Sequence, residues 1–472
     1  MDILRCCSSG RAASMARRMH RRAGRVYKIA HEEASVPVTI MKRTLILAAT
    51  VLFSVFAVWG QAPQKNWKDR AEYDLYEAAS KATDNAKKIE LLNTWKQKYP
   101  NSDFNMERLQ MLLEAYQAAG QIDRLMETGN EILSADPKNL RAMYIMAVNT
   151  VRLVKPTPEL LGMAEKAVRG LLNNFNEFFG PDKRPASTPE ADWKKAANDT
   201  AALAHLSLGW IHMQRKQNEE AEKEFTASLQ ANPANAQVSY WLGTVMLAQK
   251  NPDKTSAAMY HFFRAGYYSG QGALPDQTRK EIAAYINKLY TNFHGSDEGA
   301  AEIRKMAQES VFPPADFKIA SKAELDLQKE EEFRKANPML ALWKSVKGEL
   351  TGPEGASYFE NHVKGALLPG GAGGVRKFRA KLVAAKPPKN PKELVLSLED
   401  PAGDITLQIL EEPLPGSAPE GTELEFEGVP VAFRASPYML TFEVEKDQIS
   451  GWPTPSPAKK APAAKKAAPA KK

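Results

Sequence analysis

Histidine and cysteine often carry out chemistry in proteins, and their spacing in this sequence favours structural roles. His205 and His212 lie seven residues apart and share a helix face. A helical metal pair usually lies one turn apart and has a further ligand, so we interpret both residues as packing histidines. Cys6 and Cys7 are the only cysteines, which excludes thiolate nucleophiles, thiolate metal sites and disulfides from the rest of the chain.

The glycine-rich and acidic segments do not form a catalytic pattern either. Gly370–Gly374 is a glycine-rich loop, but a phosphate cradle needs such a loop between a strand and a helix N-terminus, followed by Lys and Ser or Thr. We interpret it as a flexible linker. Asp326 and Glu330–Glu332 form a charge run typical of a solvated helix face. The sequence therefore predicts no catalytic residue, no metal site and no cofactor.

The formal net charge of +8 comes from the two ends of the chain. Residues 1–40 contribute +5, Lys42 and Arg43 add two charges, and the tail from Lys459 to Lys472 adds six. The body between them therefore carries −5. A nucleic-acid-binding fold needs a basic face on its folded part, so we expect no specific nucleic acid partner.

An uncharged apolar stretch, residues 44–64, follows a basic start at residues 41–43. With a small residue at Gly60, residues 41–60 have the layout of a secretory signal peptide, and we expect cleavage after Gly60. Residues 1–40 would then be a non-native or disordered extension. If that extension is native, residues 44–64 are instead an uncleaved membrane anchor. Both interpretations place the body outside the cytoplasmic membrane, in the periplasm or the extracellular space.

An internal repeat of 34 residues organises the first half of the chain. Leu208-Gly209 and Leu242-Gly243 are separated by this spacing, as are Leu112-Leu113 and Met146-Ala147. Small residues at fixed positions let two antiparallel helices approach closely, an aromatic residue fills the space between hairpins, and proline ends the second helix. In the best unit, Ala202–Asn235, these positions are Leu208, Gly209, Ala221, Phe225 and Pro233.

This pattern resembles the tetratricopeptide repeat, whose helical hairpins stack into a solenoid. The next unit keeps Leu242, Gly243, Ala258 and Phe262, with three residues added before Ala258. The resemblance covers residues 67–270, and two capping helices extend the predicted solenoid to residues 67–310. We expect the insertion at 173–199 to be an exposed loop. It implies a mostly α fold of the bacterial exported type that binds a protein or peptide partner.

The resemblance also implies a binding site on the concave side of the solenoid. In the family, fixed positions of each first helix line this groove, and arginine and aromatic residues there suit binding hot spots. The alternative is that the apolar members, such as Leu203, Leu206 and Met213, pack against the next hairpin. The candidate partner-binding residues are Arg141, Tyr144, Arg152, Trp210 and Tyr240, and the remaining groove positions are Val148, Leu203, Leu206, Met213, Gln237, Thr244 and Leu247.

The hydrophobic period changes from helical to alternating in the last third of the chain. Residues 311–368 predict a helical connector, and residues 374–450 contain short runs rich in β-branched and aromatic residues. Five or six short strands predict a small all-β domain, a barrel or a sandwich, with an OB-like barrel as one option. The expected strands are 376–384, 393–398, 404–410, 422–427, 429–434 and 439–445.

The chain ends in a Pro, Ala and Lys tail, residues 453–472, whose composition predicts disorder. Together these features predict an exported interaction scaffold that binds a partner through the groove without catalysis. One alternative is a structural envelope protein tethered by the lysine-rich tail. The other is an enzyme with its site in the β domain. Membrane contact is expected only through the N-terminal segment, if that segment is uncleaved.

Overall fold

A computed structural model describes residues 65–453 of the chain. The expected extension, signal peptide or anchor, and all but the first residue of the tail lie outside the described residues. The described chain divides between Lys322 and Ala323 into two compact units. Within residues 65–453, no helix is both long and apolar enough to cross a membrane.

Five helical hairpins follow one another in the first unit, and two further helices pack on the last of them. This arrangement is a tetratricopeptide-like solenoid, as the repeat predicts. The helices are α1 Arg70–Lys81, α2 Asn85–Lys98, α3 Asn105–Ala119, α4 Ile122–Ala135, α5 Leu140–Thr150, α6 Pro158–Asn173, α7 Phe175–Phe179, α8 Glu190–Gln214, α9 Asn218–Ala231, α10 Ala236–Ala248, α11 Thr255–Tyr267, α12 Asp276–His294 and α13 Ala300–Glu309.

Local sequence signals determine where several of these helices begin and end. Asp84, Asn139 and Asn235 precede α2, α5 and α10, and each side chain accepts a hydrogen bond from the amide three residues later. Such N-caps satisfy an amide that has no partner within the helix. Gly120 ends α3 with φ +69°, a left-handed conformation that glycine adopts without strain.

The predicted repeat positions lie where two helices approach most closely. A Cβ atom added at Gly209 would lie 2.6 Å from a ring carbon of Phe225, and one at Gly243 would lie 2.9 Å from the carbonyl oxygen of Ala258. The helices could not approach this closely with a larger residue at either position. Six of the other repeat residues are buried, whereas Pro233, which ends the second helix, is exposed; the buried ones are Leu208, Ala221, Phe225, Leu242, Ala258 and Phe262.

Methionine fills the equivalent space in the units that depart from the repeat pattern. Gly129 stands where Phe225 stands in the best unit, and a Cβ there would lie 2.5 Å from the sulfur of Met146 in the next hairpin. A Cβ at Gly170 would lie 3.0 Å from the terminal methyl carbon of Met143. An unbranched thioether adapts to irregular gaps, so these looser units keep the same helix packing.

The insertion at 173–199 is partly helical, which corrects the expectation of a loop. It contains α7, a 3-10 turn at Pro181–Lys183 and the first turns of α8. Phe179 packs on Phe175 and Trp193, with ring centroids 5.1 and 5.5 Å apart. Pro189 is the N-cap of α8. The prolines therefore start helices here, because proline lacks only an amide that the first turn leaves unbonded.

The second unit contains three helices and a seven-stranded sheet. The residues predicted as a separate connector are divided between the units, because residues up to 322 belong to the first one and the helices from residue 338 join the core of the second. The elements are α14 Lys322–Ala336, α15 Pro338–Leu350, α16 Gly355–Tyr358, β1 Phe378–Lys386, β2 Glu393–Ser397, β3 Ile405–Ile409, β4 Glu423–Phe426, β5 Val429–Ala435, β6 Tyr438–Val444 and β7 Ile449–Ser450.

The strand order, β5-β6-β3-β2-β1-β4-β7, requires a strongly curled sheet. β3 and β6 are parallel, and the other pairs are antiparallel. Only Glu427 and Gly428 separate β4 from β5, although these strands lie far apart in the order, so the sheet curls until they meet. A Cβ at Gly428 would lie 2.6 Å from Val444, which explains glycine at the bend. This arrangement agrees with the expected OB-like barrel.

Helix α15 supplies the aromatic centre of the barrel core. Trp343 packs edge-on against Phe378 and Tyr438, with centroids 5.6 and 5.8 Å apart. Its indole nitrogen donates a hydrogen bond to the carboxylate of Asp404 at 3.1 Å. This buried carboxylate also accepts from the amides of Leu398, Glu399 and Asp400. Such full satisfaction is what allows a charged group to be buried.

Candidate functional site

The first helices of three successive hairpins, α5, α8 and α10, carry the predicted partner-binding residues. Ser207 joins two of these helices directly, because its hydroxyl donates to the carbonyl of Ala147 at 3.0 Å. α5 and α8 therefore lie side by side, and we infer that their accessible faces adjoin. Residues from both helices can contact a single bound segment.

The two predicted arginines, Arg141 on α5 and Arg152 just after it, make their contacts within the protein. Arg141 is exposed and forms an ion pair with Glu114 of α3. Arg152 is half-buried, and its Nη1 donates to Asn149 Oδ1 at 2.7 Å. An exposed ion pair contributes little stability, so Arg141 can exchange Glu114 for an acidic group of a partner at small cost.

Tyr144 is a half-buried aromatic residue on the same helix. Burial raises the pKa of its hydroxyl, and the charge of Asp199 on α8 raises it further. Asp199 itself pairs with Lys195 at 2.5 Å and accepts from Asn232 at 3.0 Å. The tyrosine therefore stays neutral at physiological pH and presents a ring with a polar tip.

The other two predicted aromatic residues are packing residues to different degrees. Trp210 is only 6% exposed and belongs to the core of the solenoid, so its assignment to the groove is corrected: an indole this deep fills space between hairpins. Tyr240 is half-buried and packs edge-on against Phe262, with centroids 5.6 Å apart. Burial raises the pKa of Tyr240. Leu206 and Leu247 are buried as well.

Four apolar or aromatic side chains on α5 and α8 are the remaining candidates for contact with a partner. We call these residues the first-helix surface: Tyr144, Val148, Leu203 and Met213. All four are half-buried. On α10 the residues that correspond to Leu203 and Val148 are Gln237 and Thr244, which are polar. Aromatic and apolar side chains that are partly desolvated before binding are the usual anchors of a protein interface.

The other chemically suggestive groups do not assemble into a site. His205 Nδ1 lies 2.7 Å from Glu224, and His212 Nδ1 lies 2.7 Å from Gln217, so each histidine has its own partner. Gly370–Gly374 lies before β1 with no helix of the phosphate-binding kind after it. Across residues 65–453, no three or more His, Cys, Asp or Glu residues come together as they would around a metal ion.

Sequence reasoning missed two clusters that the fold brings together. Trp67 stacks on Phe104 with centroids 3.7 Å apart and contacts Trp95 at 5.9 Å, which closes the start of the solenoid. At the other end, residues 310–321 cover the outer face of α11. The available signal was that residues 258–268 are apolar or aromatic on nearly every side of a predicted helix, which indicates a fully buried helix.

The comparisons with known proteins match this chain only through solved structures. No protein-family model matches it, and no curated protein matches it. It is similar to a MamA RS-1 double mutant at 12% identity and TM-score 0.29, covering 46% of this chain and 94% of that one. It is also similar to a crystal structure of MamA at 14% identity and TM-score 0.28, covering 49% of this chain and 95% of that one. A thermophilic TPR protein from Thermus thermophilus is similar at 14% identity and TM-score 0.25, covering 47% of this chain and 95% of that one. The tetratricopeptide-like assignment rests on the hairpin geometry.

Proposed function

We propose that this protein is an exported interaction scaffold that binds a protein segment along the first-helix surface, without catalysis. The observation that carries the proposal is a row of four half-buried apolar or aromatic side chains on two adjoining helices, Tyr144, Val148, Leu203 and Met213. Solenoids bind along such surfaces because successive helices present side chains at regular intervals. An apolar segment in helical or extended form would cover this row.

The charges beside the row favour a segment with at least one acidic residue. Arg141 is exposed at one end of the row, and its present partner Glu114 is also exposed. An acidic residue of the bound segment can replace Glu114, and the ion pair at the rim would then fix the register rather than supply most of the affinity. The apolar contacts supply the affinity.

Paired charge substitutions test the proposal. Leu203→Asp places a carboxylate in the apolar row, whereas Lys223→Asp places one on the exposed outer face of α9, in the same hairpin. We expect proteins that co-purify with the wild type from its own cells to be lost with Leu203→Asp and retained with Lys223→Asp. Equal retention by the two variants would contradict binding along the row. Matching circular dichroism spectra confirm that both variants fold.

Export is part of the proposal and rests on residues 41–60 of the sequence. If the signal is cleaved after Gly60, mass spectrometry of the mature protein identifies Gln61 as its first residue. A mature chain that retains residues 44–64 and fractionates with membranes would support the anchor instead. A soluble cytoplasmic chain that begins at Met1 would contradict both forms of export.

The tethering alternative rests on the six lysines between Lys459 and Lys472. It predicts that salt releases the full-length protein from the envelope by screening these charges. A chain that lacks residues 458–472 would already be free at low salt. The enzyme alternative has less support, since the sequence contains no paired-carboxylate motif, no GxSxG elbow and no HExxH motif.

A further inference from the structure

The last hairpin of the solenoid differs from the one before it in the burial of its second helix. Eleven of the thirteen residues of α11 are buried, compared with four of the fourteen residues of α9. The outer face that α9 exposes to solvent is therefore covered in α11. The cover consists of α13 and the residues that follow it, 310–321, which we call the strap.

Hydrogen bonds to its backbone groups and apolar contacts, mostly of half-buried side chains, fasten the strap to the solenoid. Few of its side chains are deeply buried: Ile319 is buried, whereas Phe312 and Phe317 are half-buried. The contacts that hold it are Ile319 N to Ser256 Oγ at 2.9 Å, Tyr260 Oη to Ser310 O at 3.0 Å, Arg264 Nη1 to Ser310 O at 3.1 Å, and His294 Nδ1 to Ala320 O at 2.8 Å.

An uncharged histidine lies beneath the strap. His261 is 1% exposed, and the ring of Phe312 packs edge-on against it with centroids 5.8 Å apart. Within the described chain, its Nδ1 atom is buried without a hydrogen-bond partner. In α9 the residue at the equivalent position is Glu224, which is partly accessible. The strap therefore converts a solvated position of the repeat into a dry one.

The charges around this histidine oppose its protonation. Arg264 lies one turn further along α11, is itself buried, and donates to the carbonyls of Pro233, Ala307 and Ser310. The exposed carboxylate of Glu309 acts on the pKa of Tyr260, not on that of His261, and the strap contributes the uncharged ring of Phe312. Burial, and then the charge of Arg264, lowers the pKa of His261 to about 3.

We propose that the strap is an acid-sensitive latch, which protonation of His261 releases from α11 while the hairpins stay folded. A second cation beside Arg264 cannot remain in this dry site, and solvent reaches the ring if residues 310–321 detach. The strap detaches before the hairpins unfold, because regions with few buried apolar contacts open at the lowest free energy.

Proton linkage determines the direction and size of the effect. In the open form the histidine regains its ordinary pKa of 6.5, whereas in the closed form it is about 3. Between pH 3 and pH 6.5 the open form therefore binds more protons than the closed form. The stability of the closed form relative to the open form is greatest above pH 6.5 and decreases as the pH falls. The opening equilibrium rises by up to about tenfold per pH unit, and by about 70-fold between pH 7 and pH 4.5.

Hydrogen exchange of the full chain, corrected for intrinsic rates, tests the latch. At pH 4.5 we expect amides of the strap to exchange about 70-fold more readily than at pH 7, while those of α8 and α9 do not change. His261→Gln and His261→Phe remove the titrating group, so strap exchange should become independent of pH. His294→Gln, which alters the other histidine at the strap, should keep the pH dependence.

Three outcomes would overturn the latch. The first is a wild-type strap whose exchange does not respond to pH. The second is a response that persists when His261 is replaced, and the third is loosening of α8 and α9 together with the strap, which is general acid unfolding. If both His261 variants fail to fold, the wild-type comparison of the strap with α8 and α9, together with His294→Gln, still decides the matter.

Discussion

Where two helices pack closely, a glycine on one helix faces a large side chain on the other. Phe225 occupies the volume that Gly209 leaves free, and Met146 occupies the volume beside Gly129, although that methionine comes from the next hairpin. The best unit could be predicted from the sequence because both members of its pair lie within one repeat. The Gly129 pairing could not, since nothing local indicates which hairpin supplies the filling side chain.

Gly209→Ala should destabilise the first unit by about 1–3 kcal/mol, because its Cβ would lie 2.6 Å from the buried ring of Phe225. Gly162→Ala in α6 is the matched control, since nothing lies within 4 Å of its Cβ. It should stabilise the helix by up to about 1 kcal/mol. Urea unfolding of both variants measures the difference. Equal stability of the two variants would contradict the close packing described here.

Glu72 ties the first two helices together and should make them sensitive to acid. Its buried carboxylate accepts from the indole of Trp95 at 3.0 Å and from the amide of Lys68 at 2.6 Å. Burial raises the pKa of Glu72, but the hydrogen bonds from Lys68, Ser102 and Trp95 outweigh burial, and the net pKa lies below its usual value of 4.5.

Glu72→Gln should therefore destabilise the first unit at pH 7, with a difference from wild type that shrinks as the pH falls below 4.5. A depressed pKa stabilises the folded state above the unfolded value and loses this contribution as the carboxylate protonates. Urea unfolding at pH 7 and pH 3.5 measures both values. Glu90→Gln, an exposed change in α2, is the control and should alter the free energy of unfolding at neither pH. A pH-independent difference at Glu72 would exclude a charge-dependent role.

At the scale of elements, the periodicity of apolar residues predicted most helices and strands, and the exceptions have physical causes. Alternation predicted six strands to within a few residues, because one face of each packs into the barrel. The two-residue strand β7 gave no such signal. α8 begins twelve residues before its repeat unit, since the aromatic contacts of Trp193 with Phe179 stabilise turns that a single sequence shows only as a proline-rich insertion.

α15 is an integral part of the second unit, and a single residue tests this. Trp343→Ala removes the buried aromatic centre and leaves Asp404 without its indole donor, so we expect a loss of about 3–5 kcal/mol. Lys344→Ala, one residue on and exposed, should change little. Hydrogen exchange across a urea series reports each unit separately. A barrel that keeps its stability without the indole would show that α15 is only a connector.

At the scale of the whole molecule, the proposed scaffold role rests on half-buried apolar side chains of the first helices. Buried ionisable groups such as Asp404, Arg264 and Glu72 are bonded to neighbouring backbone and side chains, so each stabilises its own unit. All five predicted binding residues were expected in the groove. In the structure Arg141 is exposed and Tyr144 is half-buried, whereas Trp210 packs inside. Helical periodicity identifies a helix face but not the neighbour that covers it.

The most direct test of the account is photo-crosslinking in the protein's own cells. A photo-reactive amino acid at Leu203 should give one recurrent crosslinked partner, because Leu203 is accessible within the first-helix surface. The same group at Lys223, on the outer face of α9, should not give that partner. Crosslinks at Lys223 alone, or the same products from both positions, would contradict a docking surface on the first helices.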